Sequence, residues 1–153
     1  MTDDGLRYFD DYVPGTTHDC GSVSVSQAEI ISFATQFDPQ PFHVDPEAAA
    51  RGPYGGLIAS GWHTAALVMR QLVDHYLSAE ASLGSPGMDE IRWLGPVRPG
   101  DTLRVRATVL EARRSQTKPD RGIMKTAIEA ANQNDQTVMR AIGTNFLLVR
   151  PDA

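Results

Sequence analysis

From Leu57 to Ala79, apolar residues recur at helical spacing more strongly than anywhere else in the chain. Ile58, Trp62, Ala65, Met69, Leu72 and Tyr76 share a stripe, widened by Ala66 and Val73, while His63, Arg70, Gln71, Asp74 and Ser78 gather opposite. So broad an apolar arc predicts a long helix packed with that stripe against something large and flat. An earlier, shorter helix is announced by Ser26 and Glu29, which have the spacing of a capping box, followed by Ile30, Phe33, Ala34 and Phe37 at helical positions. Asp38-Pro39 ends it, because a residue before proline is pushed out of the helical region. Ser22–Val25 has short β alternation, and the proline-interrupted stretch up to Gly56 predicts irregular chain with one helical turn at Asp45–Ala50. Beyond the Gly84–Gly87 turn the period becomes two, predicting strands over Met88–Leu94, Thr102–Arg114, Gly122–Ala131 and Thr137–Val149. Their connections carry turn residues, notably Arg98-Pro99-Gly100-Asp101 and Asn132-Gln133-Asn134-Asp135, so the strands should form an antiparallel meander.

One strand, helices, then a run of strands is an α+β order, and its economical packing wraps one curved antiparallel sheet around the Leu57–Ala79 helix. The 153 residues suffice for a single domain, 1–153. One sheet with one central helix leaves strand edges open, so a homodimer is expected.

Charge refines this picture. The formal net charge of −5 argues against nucleic acid as a partner, but it conceals a split. Residues 1–90 carry 13 acidic and 3 basic side chains, residues 91–153 carry 6 acidic and 11 basic. The basic half, from Arg92 to Lys125 in particular, is thereby either a candidate surface for an anionic ligand or simply a solvated face. The single cysteine, Cys20, excludes an internal disulfide framework. The start of the chain (Thr2, Asp3, Asp4) lacks the basic and apolar regions of a signal peptide, and Arg70, Asp74 and His75 interrupt the most apolar stretch, so a cytoplasmic protein with no membrane span is expected.

Two segments carry candidate chemistry. In Phe37-Asp38-Pro39-Gln40-Pro41-Phe42-His43, two prolines stiffen a loop that holds an acid and an imidazole, which suits acid/base work or, more plainly, local hydrogen bonding. In Gly55-Gly56-Leu57-Ile58-Ala59-Ser60-Gly61, glycines precede the long helix. Unpaired N–H groups at a helix start suit an oxygen that gains negative charge, and glycine equally suits close helix–sheet packing. His18-Asp19-Cys20 is a poor nucleophile cluster, since neighbours on a strand alternate faces. No His-x-His or His-Glu-x-x-His occurs, so no metal site is expected, and no glycine-rich nucleotide fingerprint follows a strand.

Together these segments resemble the MaoC-like hydratase/dehydratase family of hotdog-fold proteins. The hydratase motif Asp-x-Asn-Pro-x-His is matched by Asp38-Pro39-Gln40-Pro41-Phe42-His43, with Gln40 in place of asparagine. The likeness extends through Gly56–Gly61 and through Ile91-Arg92-Trp93-Leu94-Gly95-Pro96-Val97-Arg98-Pro99-Gly100-Asp101. It implies a hotdog fold and hydration of trans-2-enoyl thioesters to (R)-3-hydroxyacyl thioesters, or the reverse dehydration. It further implies that Asp38 and His43 polarise one water while the Gly61 backbone N–H holds the thioester oxygen. Gln40, Ser60 and His63 complete the expected substrate-binding set. Coenzyme A or acyl carrier protein thioesters would be the partners, with no separate cofactor. A hotdog thioesterase and a non-catalytic acyl-thioester-binding subunit are the competing readings.

Overall fold

The computed structural model describes residues 6–152; the acidic start at Thr2, Asp3 and Asp4 lies outside the described residues. Strand β1 (Thr17–Ser24) precedes helices α1 (Gln27–Phe37), α2 (Pro41–Val44), α3 (Pro46–Arg51) and α4 (Gly61–His75), and strands β2 (Gly87–Trp93), β3 (Thr102–Arg114), β4 (Arg121–Ala131) and β5 (Thr137–Leu148) follow. The five strands form one antiparallel sheet in the order β1-β3-β4-β5-β2, with α4 against its inner face. This is the hotdog arrangement. The long hairpins β3–β4 and β4–β5 arise where apolar alternation and turn residues coincide, and β4 alternates buried and half-buried positions along its whole length.

The sequence-based elements need four corrections, and the topology one: β2, expected beside β3 in a consecutive meander, crosses to the far edge of the sheet and pairs with β5 instead. β1 starts at Thr17, not Ser22, because a bulge at Gly21 (φ +74°) shifts the register between Asp19 and Ser22 and breaks the alternation. The 41–44 turn, expected to be irregular, is helical, with Pro41 in the first turn and its fixed φ suited to that position.

The central helix is shorter than expected at both ends, running over Gly61–His75 instead of Leu57–Ala79. Leu57, Ile58 and Ala59 are buried but extended: Ile58 N–H donates to the Phe42 carbonyl and Ala59 N–H to the Val97 carbonyl. A buried extended run and a buried helical turn have the same apolar content.

The fourth correction concerns which face of α4 is inward. His63, Thr64, Val68, Gln71 and Leu72 are buried, whereas Trp62, Ala66, Met69 and Val73 are exposed. The expected inward stripe is therefore divided: Ala65, Leu72 and Tyr76 face the sheet, Trp62, Ala66 and Val73 point away, and Met69 stands between the two, exposed on one side and turned toward the sheet on the other. Trp93, Leu94 and Met88 at the β2 edge add to the exposed apolar surface.

Between α4 and the inner faces of β2, β4 and β5 lies an apolar slot of 230 Å³, lined among others by Ala65, Met69, Leu72, Ile91, Ile128 and Met139. Tyr76 is buried at the same cavity, donating or accepting a hydrogen bond with the Thr126 hydroxyl at 3.0 Å. Among the described residues, no helix is long and apolar enough to cross a membrane.

Candidate active site

Asp38 is the C-cap of α1, where the Pro39 that follows stops the helix. Its carboxylate is held on both oxygens. The Gln40 side-chain amide donates to Oδ1 at 2.7 Å, and the Ser60 hydroxyl donates to Oδ2 at 2.7 Å. These hydrogen bonds, Gln40 first, hold the Asp38 carboxyl below the usual carboxylate range and keep it ionised near neutral pH. The glutamine that replaces the motif's asparagine thus reaches back to the acid.

His43 sits on α2, buried, with its Nε2 atom 3.3 Å from Asp38 Oδ2. Its Nδ1 atom lies 2.7 Å from the Ile58 carbonyl oxygen, which can only accept, so Nδ1 carries a proton. In the neutral ring Nε2 is then the lone-pair nitrogen, aimed at the Asp38 side. Phe42 meets the His43 ring edge-on at 4.5 Å, fixing its plane within apolar surroundings. Asp38 and His43, five positions apart, are brought together by the end of α1, the single turn of α2 and the extended Leu57–Ser60 segment.

Ser60 is the N-cap of α4: its hydroxyl accepts a hydrogen bond from the Trp62 N–H at 3.3 Å. Gly61, the next residue, opens the helix, so its N–H has no intrahelical acceptor and stands at the positive end of the helix dipole. A β-carbon on Gly61 would lie 2.6 Å from the Trp93 indole, so close helix–sheet packing requires glycine here. Gly55 is different: it has φ +66° in open space, a turn requirement only.

Of the remaining expected residues, His63 is neither solvated nor near the Asp38 carboxylate by any hydrogen bond. It is buried and stacked face to face on Phe33 at 4.6 Å between α1 and α4, and its Nδ1 atom has no partner. Burial pushes His63 below the ordinary imidazole value, against a weaker opposing pull from Glu29. Cys20 is buried as well, which pushes its thiol up to about 11 and leaves it unreactive. Among the described residues no group of three His, Cys, Asp or Glu side chains could hold a metal ion.

The basic half of the chain is partly self-neutralised. Arg92, Arg104, Arg121 and Lys125 are paired with Glu90, Asp135, Asp120 and Asp89. Arg98 is placed differently: its guanidinium donates to the Tyr54 carbonyl at 2.7 Å and lies beside Gly56, on the segment that leads to Ser60 and Gly61.

The Ile58 carbonyl, the Ser60–Asp38 hydrogen bond and the Trp93–Gly61 contact were not anticipated from sequence. The first is a backbone atom and the others join residues 22 and 32 positions apart, which no local pattern encodes.

Residues 12–131 match the family model for the MaoC like domain. A crystal structure of a MaoC-like dehydratase from Rhodospirillum rubrum superposes with a TM-score of 0.89 at 40% identity, covering 96% of this chain and all of that one. An uncharacterised Bacillus subtilis protein, YdeM, is 31% identical over 130 residues, 84% of this chain and 90% of its own length. The 3-hydroxyacyl-thioester dehydratase Z of Mycobacterium tuberculosis is 41% identical over 88 residues, 56% of this chain and 57% of its own. With the family model matched over residues 12–131 and the Rhodospirillum rubrum dehydratase matched over its whole length, the chain belongs to the MaoC-like dehydratase family.

Proposed function

We propose that the protein hydrates trans-2-enoyl thioesters to (R)-3-hydroxyacyl thioesters, or runs the reverse dehydration. The observation that carries this reading is the Asp38 Oδ2–His43 Nε2 approach of 3.3 Å beside the unpaired N–H of Gly61. A water bound at Oδ2 and Nε2 gives a proton to the pair as its oxygen bonds to the β-carbon. The π electrons move toward the thioester, and the enolate oxygen is stabilised by the Gly61 N–H and the helix dipole. The pair then returns a proton to the α-carbon, so one water adds across the double bond and the residues are regenerated. No metal or redox cofactor is needed for this balance.

The apolar slot along α4 supports an acyl substrate, since its walls offer hydrocarbon and sulfur surface with scarcely a charge. Arg98 is the basic side chain best placed for the phosphates of coenzyme A or of an acyl carrier protein's prosthetic group. The exposed apolar row of α4 and the open β2 edge support a homodimer. A cytoplasmic location accords with these substrates.

The test is to offer purified protein a panel of enoyl-CoA esters, following loss of the conjugated chromophore and, in parallel, thiol release. Hydration that disappears in Asp38→Ala and in His43→Ala is the expected result. Thiol release without hydration would identify a thioesterase, and tight acyl-CoA binding with neither activity a non-catalytic subunit.

A further inference from the structure

Ser60 is fully buried, and its hydroxyl has two defined partners. Its proton goes to Asp38 Oδ2 at 2.7 Å, the same oxygen that meets His43, and its lone pair accepts from Trp62 N–H at 3.3 Å. The hydroxyl is therefore committed to the protein on both sides and does not present itself to a substrate. It is also a joint between distant parts of the chain. Asp38 terminates α1, Ser60 begins α4, and the oxygen shared between them precedes the Gly61 N–H by one residue. With Gln40 Nε2 on Oδ1, both carboxylate oxygens are fixed, and rotation of the Asp38 side chain would break the partly buried hydrogen bond from Ser60.

We infer that Ser60 is a positioning residue: one hydroxyl aims the Asp38 carboxylate at His43 and, by capping α4, sets the Gly61 N–H at a fixed place relative to that carboxylate. The family resemblance implies a substrate contact for Ser60, whereas its two partners point to a different task. The inference rests on the hydratase reading for its kinetic consequence, but the clamp itself has a physical readout that does not depend on activity.

Two substitutions separate the tasks. Ser60→Ala removes both the donor to Asp38 and the helix cap, whereas Ser60→Gly removes the donor at little capping cost, because glycine is tolerated at an N-cap. The Asp38 carboxyl is titrated by carbon-13 NMR, assigned with Asp38→Asn, alongside thermal unfolding and kcat and KM across pH. Both variants should shift the Asp38 titration to higher pH, because a hydrogen bond that favours the ionised form is gone. Both should lower kcat by roughly 10- to 100-fold, the range for losing one hydrogen bond to a charged group, with KM little changed. The acid limb of kcat should move upward in step. An Asp38 titration in Ser60→Gly identical to the parent's would overturn the clamp. So would full kcat in Ser60→Gly with loss confined to Ser60→Ala, which would leave Ser60 as a helix cap alone. If the parent protein hydrates no enoyl thioester, the reaction assigned above fails, and the carboxyl titration still decides the clamp.

Discussion

The Trp93 indole fills the space beside Gly61: a β-carbon there would come within 2.6 Å of Cε2 and 2.7 Å of Cδ2. Trp93 is in turn met edge-on by Trp62 at 5.0 Å, so the last residue of β2 and the first turn of α4 are interlocked. Of the two reasons for a glycine here, close packing is the one the geometry makes compulsory, and it sets the position of the N–H assigned to the thioester oxygen.

Gly61→Ala should therefore destabilise the fold by about 1–3 kcal/mol, the usual cost of overpacking. On helix propensity alone the same change would be favourable by about 1 kcal/mol, so the two effects have opposite signs. Adding Trp93→Ala should recover part of the loss, giving a double variant more stable than the sum of the singles requires. Denaturant unfolding of the four proteins measures this coupling. Strict additivity would show that the indole does not press on Gly61.

What could be read in the sequence depended on how local each feature is. Strand β3 was located to the residue, since Thr102–Arg114 alternates and is bounded by Pro99-Gly100 and by Ser115 to Pro119. The Asp38–His43 pair was legible because its motif lies within six residues. The start of α4 was not, since Leu57–Ala59 are as apolar as a helix, but the Ile58 and Ala59 N–H groups donate to the Phe42 and Val97 carbonyls. The inward face of α4 was misassigned for a deeper reason. A periodic apolar row marks surface that water leaves, whichever body covers it, and the row through Trp62, Ala66 and Val73 is not covered by this chain's own sheet.

Stability should fall on the acid side because of His63. Burial between Phe33 and α4 lowers its pKa from the ordinary 6.5, so the folded state favours the neutral ring. The unfolded state binds the proton more readily. The stabilising contribution is thus fully present above about pH 6.5 and is lost as pH falls toward the depressed value. His63→Leu should flatten this acid loss between pH 7 and 5, measured as denaturant midpoints. His18, also lowered by burial, keeps some pH dependence in the variant. A variant with the parent's full acid slope would remove His63 from the account.

The slot along α4 predicts how rate varies with acyl length. Each methylene that enters it removes apolar surface from water, worth about 0.8 kcal/mol or roughly fourfold in kcat/KM. The rise should stop once the 230 Å³ are filled. Ala65→Leu, which places bulk one turn after Gly61, should leave the four-carbon substrate nearly unaffected and weaken longer ones by about tenfold or more. A uniform loss at every chain length would place the acyl group elsewhere.

The uncovered row of α4 predicts the assembly. Val73 is 52% exposed and lies outside the lining of the slot, and Trp62 and Met69 beside it are 58% and 47% exposed. Water contact at three large apolar side chains in one row is unfavourable, and β2 next to them has an unpaired edge. A second copy related by a two-fold axis would cover both at once, because such an interface is self-complementary. The parent protein should therefore sediment with the mass of two chains. Val73→Glu places a charge in the apolar row of each copy, and its dissociation constant should rise by at least about a hundredfold, with far-ultraviolet circular dichroism unchanged. A monomeric parent would mean that this face is not where two copies meet, and a Val73→Glu variant that stays dimeric would move the interface to the other side of the sheet.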